Sequence, residues 1–298
     1  MPLFPDFKPI EMSDRAVIYK SLMEYQPQTS ELSFTNLFIW RRHYGVIWSQ
    51  YEGCLLFIFE KTGYGLQTIC GTPGSVIVSQ LLGYLKNKYG TGSSLQRVDS
   101  RVVDDLKGNN SLKIDLTPEH FDYVYKSEDL INLAGRKYHS KRNYINTFQS
   151  SYQFEYLNMA KEHVPGCLEM AERWCDRRSC EEDVNMSLSG EFEAITDALN
   201  NFDTLGIKGG VIKINGKIEA FTLGEMLNND TAVIHIEKAD PDIRGLYTII
   251  NQQFCEHNWS KIPFINREQD LGEPQLRQAK ESYYPDHMVE KHSIKLID

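Results

Sequence analysis

Four lysine or arginine side chains fall within the seven positions Arg136-Lys137-Tyr138-His139-Ser140-Lys141-Arg142, with two aromatic rings between them. Cations interleaved with rings are the residue types that neutralise phosphates and stack on bases. Lys137, Lys141 and Arg142 lead that set; the plainer alternative is a solvated segment joining two units. Further along, His235 and Glu237 stand two apart in an apolar run. Period-two alternation predicts that they share one face of a strand, where either can serve as acid or base. Asn266, Arg267, Glu268 and Asp270 follow the apolar Ile262-Pro263-Phe264-Ile265. Polar groups at a strand exit line many sites, as they line many ordinary exits. Glu268 or Asp270 can grip a cationic amine there, and Lys280 is a further phosphate candidate.

Other chemistries lack their residues. There is no G-x-S-x-G elbow and no G-x-x-x-x-G-K-[ST] loop, so neither a serine hydrolase nor a P-loop nucleotidase is expected. Cys167, Cys175 and Cys180 lie close in sequence without C-x2-C spacing, and no metal site is expected. Six cysteines and an N-terminus without a leader-like apolar run predict reduced thiols in a cytoplasmic protein. The longest uncharged stretch, Thr62 to Leu85, holds five glycines and a proline and does not read as a membrane span. Residues 1–140 carry 15 basic and 15 acidic side chains, whereas residues 141–298 carry 17 and 26. An acidic second half repels nucleic-acid backbones, which argues against DNA, and favours a cationic small molecule; solubility alone also accounts for it.

The elements that must position these groups are most legible in the second half. Helices are predicted from Asn158 to about Ser179, with Leu168, Ala171, Trp174 and Cys175 on one face, and from Glu191 to Asn201. Gly210–Ile214, the Asn215-Gly216 turn and Ile218–Leu227 spell a β-hairpin. A strand over Thr231–Ala239, a helix over Leu246–His257, a strand over Ile262–Arg267, a helix over Glu273–Ser282 and a strand over Met288–Leu296 complete the half. The first half runs in the same order. A helix is predicted over Ser33–His43, strands over Gly45–Gln50, Leu55–Glu60 and Leu66–Cys70, a break at Gly71–Gly74, a helix over Val76–Tyr89 and a strand over Leu95–Asp99. This parallel predicts a duplication at the level of fold, with units at 1–135 and 136–298 joined somewhere in Ser127–Ser150.

That order resembles the acyl-coenzyme A N-acyltransferase (GNAT) fold. Three segments sharpen the likeness: Asp122–Tyr125 with Leu133–Asn143, Asp242–Tyr247, and Ile265–Gly272 with Leu276, Arg277 and Lys280. Together they resemble an uncharacterised bacterial family of tandem GNAT proteins. That family is similar to the soluble C-terminal domain of phosphatidylglycerol lysyltransferases and, more distantly, to Fem-type peptidyltransferases. The resemblance implies an α+β fold of two tandem GNAT-like domains, each a mixed, mostly antiparallel twisted sheet flanked by helices. It implies a transferase in which an amine or hydroxyl acceptor attacks an activated acyl carbon.

In such a transferase Glu237, His235 and Glu268 are the candidate catalytic groups, and Asn266 and Asp270 the candidate acceptor-binding ones. Lys137, Lys141, Arg142, Arg244, Gly245 and Lys280 are the candidates for the donor's phosphates. No resident cofactor is required: the donor is a coenzyme A thioester or an aminoacyl-tRNA, and the acceptor a small molecule or a lipid head group. Gly245 fits the middle glycine of the GNAT diphosphate loop. Asp242 replaces its first basic or amide residue and Tyr247 its last small one, departures that favour a donor other than acetyl-coenzyme A. The active cleft is expected in the second unit, roofed by the joining segment.

Overall fold

The computed structural model describes residues 1–70, 75–178 and 187–297. The expected break at Gly71–Gly74 lies outside the described residues, as does Cys180. Among the described residues fourteen strands form two sheets. They are β1 (Lys8–Pro9), β2 (Val46–Tyr51), β3 (Cys54–Phe59), β4 (Tyr64–Leu66), β5 (Leu95–Asp99), β6 (Leu112–Leu116) and β7 (Asp122–Lys126), then β8 (Phe154–Asn158), β9 (Lys208–Ile214), β10 (Lys217–Met226), β11 (Thr231–Ala239), β12 (Phe264–Asn266), β13 (His287–Val289) and β14 (Lys291–Leu296).

The first sheet has the order β1-β2-β3-β4-β5-β14-β6 and the second β8-β9-β10-β11-β12-β7-β13. All neighbours are antiparallel except β4 with β5 and β11 with β12. The two orders are the same pattern with one strand traded. β7 follows β6 in the chain but completes the second sheet, while β14 completes the first. A division at 135/136 therefore leaves β7 and β14 each with the half whose sheet it does not join. Residues 288–296, expected as one strand, are two: the chain breaks at Glu290 and passes from the second sheet to the first.

Each parallel pair is joined by a helix, Ser75–Tyr89 in the first half and Leu246–Trp259 in the second. Each of these helices packs on the outer face of its own sheet. Leu81, Leu82 and Leu85 meet Ile58 and Val98 in one core, and Ile249, Ile250 and Phe254 meet Ala232, Ile234 and Ile265 in another. The inner faces share a third core that runs between the halves. There Ile18, Leu22, Phe34 and Phe38 of the first half lie in one buried cluster with Ile195, Leu199, Phe221 and Ile236 of the second. At tens of square ångströms of apolar surface per side chain, this shared core holds the halves together more firmly than a linker could. Polar contacts add direction, as Arg15 donates to the Leu205 carbonyl (2.7 Å) and Arg41 pairs with Asp197 (2.7 Å).

The expectation of reduced thiols is corrected. Leu55 and Ile69 exchange both backbone hydrogen bonds, so Cys54 and Cys70 form the adjacent close pair. Their Cα atoms are 4.6 Å apart and they are joined by a disulfide. Cys175 is disulfide-bonded as well. Cys167 and Cys255 are free and buried, and burial pushes both thiols up to about 12.

Candidate functional site: a gap between two parallel strands, bridged on both faces

β11 and β12 pair only over Thr231–Val233 and Phe264–Asn266. Beyond Val233 and Asn266 the ladder stops, and two ion pairs span the gap. His235 Nδ1 lies 2.8 Å from Glu268 Oε1, and Arg267 Nη2 lies 2.9 Å from Glu237 Oε1. The expectation that His235 and Glu237 share a face fails. Ile236 pairs with Leu223 and Ile234 with Gly224, leaving His235 as the extra residue of a β-bulge. A bulge resets the alternation. His235 and Ile236 both turn inward, towards the first half, while Glu237 turns outward to the Leu246–Trp259 helix. Gly224 makes room for this: a Cβ there would come within 2.5 Å of the Val233 carbonyl oxygen. An isolated glycine inside a strand is the sequence sign of a bulge.

On the inner face His235 sits between two carboxylates. Its Nε2 is 3.0 Å from Glu225 Oε1, and its side chain is 2% exposed. Burial opposes the charged ring, but hydrogen bonds and charge from Glu225 and Glu268 outweigh it and raise the imidazole to about 9. His235 is therefore an imidazolium at neutral pH, and it keeps two carboxylates together that would otherwise repel. Ser33 Oγ is 3.4 Å from Nε2, and Asn36 Nδ2 donates to Glu268 Oε1 at 3.3 Å. Ser33, His235 and Glu268 share the connectivity of a hydrolytic triad, but a protonated ring has no lone pair with which to take the serine proton. Ser33 is instead the N-cap of the Phe34–Ile39 helix, accepting from the Asn36 N–H. Glu268 keeps 22% of its side chain exposed, and its Oε2 bonds to none of the described residues.

The outer face is more basic. Glu237 accepts from Arg267 and from Asn251 Nδ2 (2.9 Å), and the Arg267 guanidinium lies over the rings of Tyr125 and Tyr283. Burial counts against the charge of Arg267, yet Glu237 holds it firmly protonated. Lys141 donates to Ser282 Oγ (2.7 Å) and lies 3.7 Å from the centre of the Tyr283 ring. Lys280 donates to the carbonyls of Arg267 and Glu268. Burial, reinforced by the charge of Arg267, lowers both lysines to about 8.

The remaining expected groups take other places. Asn266 donates to Asp122 Oδ2 (3.1 Å) and to the Gln28 carbonyl (3.4 Å) and accepts from the Glu268 N–H (2.7 Å). Asp270 accepts from Tyr123 (2.6 Å) and Arg277 (2.7 Å); these bonds outweigh burial and bring it down to about 2. The basic run does not form one patch: Arg136 and Lys137 lie in a 3-10 turn, Arg136–Tyr138, and Lys141 and Arg142 are consecutive residues, which do not share a face, on the helix that starts at His139. Lys137 pairs with Asp129 (3.4 Å), and Arg142 donates to the Leu133 and Gly135 carbonyls. The helix His139–Ser151 packs on the start of the Leu246–Trp259 helix, so the joining segment lies on the outer face. What covers His235 is the first half. Gly245 has φ +89°, and a Cβ on it would run into the Tyr144 carbonyl oxygen; Arg244 lies over the Tyr144 ring. The loop expected to cradle a diphosphate is thus backed by that helix.

Glu225, Ser33 and Asn36 join this site without any motif in the sequence to mark them. Among the described residues no group of three or more metal-ligating side chains is arranged to hold an ion, and no helix is long and apolar enough to cross a membrane.

Two sheets of matching strand order, each with a helix across its parallel pair and a gap beyond it, define a tandem GNAT-like fold. The chain belongs to the family described as phosphatidylglycerol lysyltransferase, C-terminal, which matches residues 23–295. It is similar to a conserved protein of unknown function from Bacteroides thetaiotaomicron. The two are 32% identical with a TM-score of 0.88, over 98% of this chain and 99% of the other. The fold is shared with the C-terminal domain of a putative lysylphosphatidylglycerol synthetase from Agrobacterium fabrum, at 10% identity and a TM-score of 0.64 over 95% and 92%. L-PGS from Bacillus licheniformis shares it too, at 11% and 0.60 over 90% and 93%.

Proposed function

We propose that this protein transfers an aminoacyl group from an activated ester, with aminoacyl-tRNA as donor, to an amine or hydroxyl acceptor in the gap between β11 and β12. The observation that carries the reading is the Glu225–His235–Glu268 cluster at the seam of the halves, with one Glu268 oxygen unengaged. The family's description supports the aminoacyl group. The cluster has two carboxylates and one imidazolium, hence a net negative charge suited to an ammonium group on donor or acceptor. An activated ester needs positioning and one base rather than a covalent intermediate. In the reaction the acceptor nitrogen or oxygen bonds to the acyl carbon, and the ester C–O bond breaks. Glu268 Oε2 takes the acceptor proton and returns it to the leaving oxygen. His235 stays protonated throughout and holds both carboxylates in place. The placement of Gly245 against Tyr144 favours this donor over a coenzyme A thioester.

Thermal shift with charged tRNA, uncharged tRNA, coenzyme A and acetyl-coenzyme A tests the reading, because a ligand that binds only the native state raises its stability. The expected result is stabilisation by tRNA, larger when charged, and label transfer from aminoacyl-tRNA to small amines or to phosphatidylglycerol vesicles. Stabilisation by coenzyme A alone would overturn it in favour of an acyl-coenzyme A N-acyltransferase of a small cationic amine. No shift with any of the four would favour a binding protein without chemistry.

A further inference from the structure

Glu268 has φ +58°, a left-handed conformation that a residue with a Cβ adopts at a cost. At that reversal two consecutive side chains lie on opposite faces, Arg267 towards Glu237 on the outer face and Glu268 towards His235 on the inner one. Three contacts hold it. Asn266 Oδ1 accepts the Glu268 N–H at 2.7 Å, Tyr123 N–H donates to the Glu268 carbonyl at 3.2 Å, and Lys280 Nζ donates to the same carbonyl at 3.3 Å. Asn266 is fully buried, and its amide donates to Asp122 Oδ2.

Asp122 is itself fully buried and has both oxygens occupied. Oδ1 accepts from Ser30 Oγ (2.9 Å) and Lys291 Nζ (2.6 Å), and Oδ2 accepts from the Ser30 N–H (2.8 Å) and Asn266. Lys291 also pairs with Glu31 at 2.7 Å, and Arg97 reaches Glu31 at 3.3 Å. Asp122 opens β7 and Lys291 opens β14, so this ion cluster stands where the traded strands enter their sheets.

We infer that Asn266, clamped by the buried Asp122–Lys291–Glu31 cluster, is a positioning residue that sets the Glu268 carboxylate against His235. Asn266 thereby leaves the acceptor-binding role that its place in the sequence predicts. The catalytic part given to Glu268 rests on the transferase reading; the positioning itself does not. Its mechanism is mechanical. A carboxamide fixed at one end by a buried carboxylate presents an acceptor at one point, and the Glu268 N–H bound there fixes where that residue's Cα, and so its side chain, begins. Losing the carboxamide releases the strain and lets Glu268 swing away from the ring.

The test follows the His235 imidazole by ¹⁵N NMR across pH, in wild type, Asn266→Ala, Asp122→Asn and Glu268→Gln. The groups facing that ring are Glu225, Glu268, Ser33 and Asn36, so loss of one carboxylate weakens proton binding about ten-fold or more. The expected result is that Asn266→Ala shows most of the drop seen in Glu268→Gln and Asp122→Asn a smaller one. The double variant Asn266→Ala/Glu268→Gln should drop no further than Glu268→Gln alone. A folded Asn266→Ala protein, or a folded Asp122→Asn protein if the first does not fold, whose ring titrates as in wild type would overturn the inference. Turnover, read on the same proteins, separates the two ideas. A drop in Asn266→Ala, together with a wild type that transfers nothing, would sink the transferase reading and leave the positioning standing.

Discussion

The first half contains the same gap as the second, closed differently. β4 and β5 pair in parallel over Gly65–Leu66 and Leu95–Gln96 and then part. What spans the space is Gln67, which donates to Asp99 Oδ2 (3.1 Å) and accepts from the Asp99 N–H (2.7 Å), both residues being fully buried. The remaining demands of Asp99 are met locally, by the Val102 N–H that it caps and by Arg101 at 2.9 Å. Every strong acceptor there has its donor, so the first gap is a lock. In the second gap a charged cluster leaves one oxygen of the partly exposed Glu268 without a partner among the described residues. One scaffold, used twice, is closed by neutral and locally paired groups in one copy and by a charged cluster in the other.

That contrast breaks if both gaps matter equally to turnover. Glu268→Gln should lower the rate of transfer by about 100-fold or more, the size expected for a lost general base. Asp99→Asn should stay within about three-fold of wild type while lowering the melting temperature. Comparable loss from both, in folded proteins, would mean that the first gap is part of the chemistry. Next in size, Arg267→Leu leaves Glu237, whose side chain is 12% exposed, without its cation and should cost about 3 kcal/mol in urea unfolding. Arg267→Leu/Glu237→Leu should recover more than half of that, because no unpaired charge remains. In the first half Gln67→Leu should cost about 1 kcal/mol, since Arg101 still faces Asp99.

A pH series sharpens the comparison further. The folded state holds the His235 proton more tightly than the unfolded chain, whose histidine titrates near 6.5. Its contribution is complete below that value, is lost as pH rises to about 9, and reaches about 3 kcal/mol at most. Lys141 and Lys280 act with the opposite sign between about 8 and 10.5, where the folded state has already released protons that the unfolded chain keeps. Stability should therefore fall between pH 6.5 and 8 in wild type and stay flat there in His235→Gln. A wild type as flat as the variant would deny the imidazolium. Two glycines give effects in the range of those single substitutions. Gly245→Ala should cost about 2 kcal/mol, from positive φ together with the clash against Tyr144, and Gly53→Ala, at φ +80° in open space, about 1 kcal/mol.

Local chemistry was legible in the sequence where one segment decides its own structure. The Asn215-Gly216 turn, the hairpin around it and the strands Thr231–Ala239 and Leu95–Asp99 appear within a residue or two of their expected bounds. Asn-Gly in a hairpin leaves the backbone little choice. The face of His235 was misread because one bulge overrides alternation, and only Gly224 on the neighbouring strand signals it. The trading of β7 and β14 was illegible for a different reason. Which sheet a strand joins depends on partners more than a hundred residues away, and Val289, Glu290 and Lys291 carry no turn residue to mark the crossing. Glu225, Ser33 and Asn36 escaped notice because each is an unremarkable polar residue until the halves come together.

The traded strands also bear on how the protein is made. Until residues 291–296 leave the ribosome, the first sheet has a missing rung between β5 and β6, with the ladder edges of both strands unpaired. The first half, though synthesised early, can finish folding only when the second is nearly done. Unpaired edges of that kind recruit any strand that fits, including the same segment of a neighbouring chain. Two copies stalled at this stage could each complete the other's sheet, with residues 291–296 as the exchanged segment.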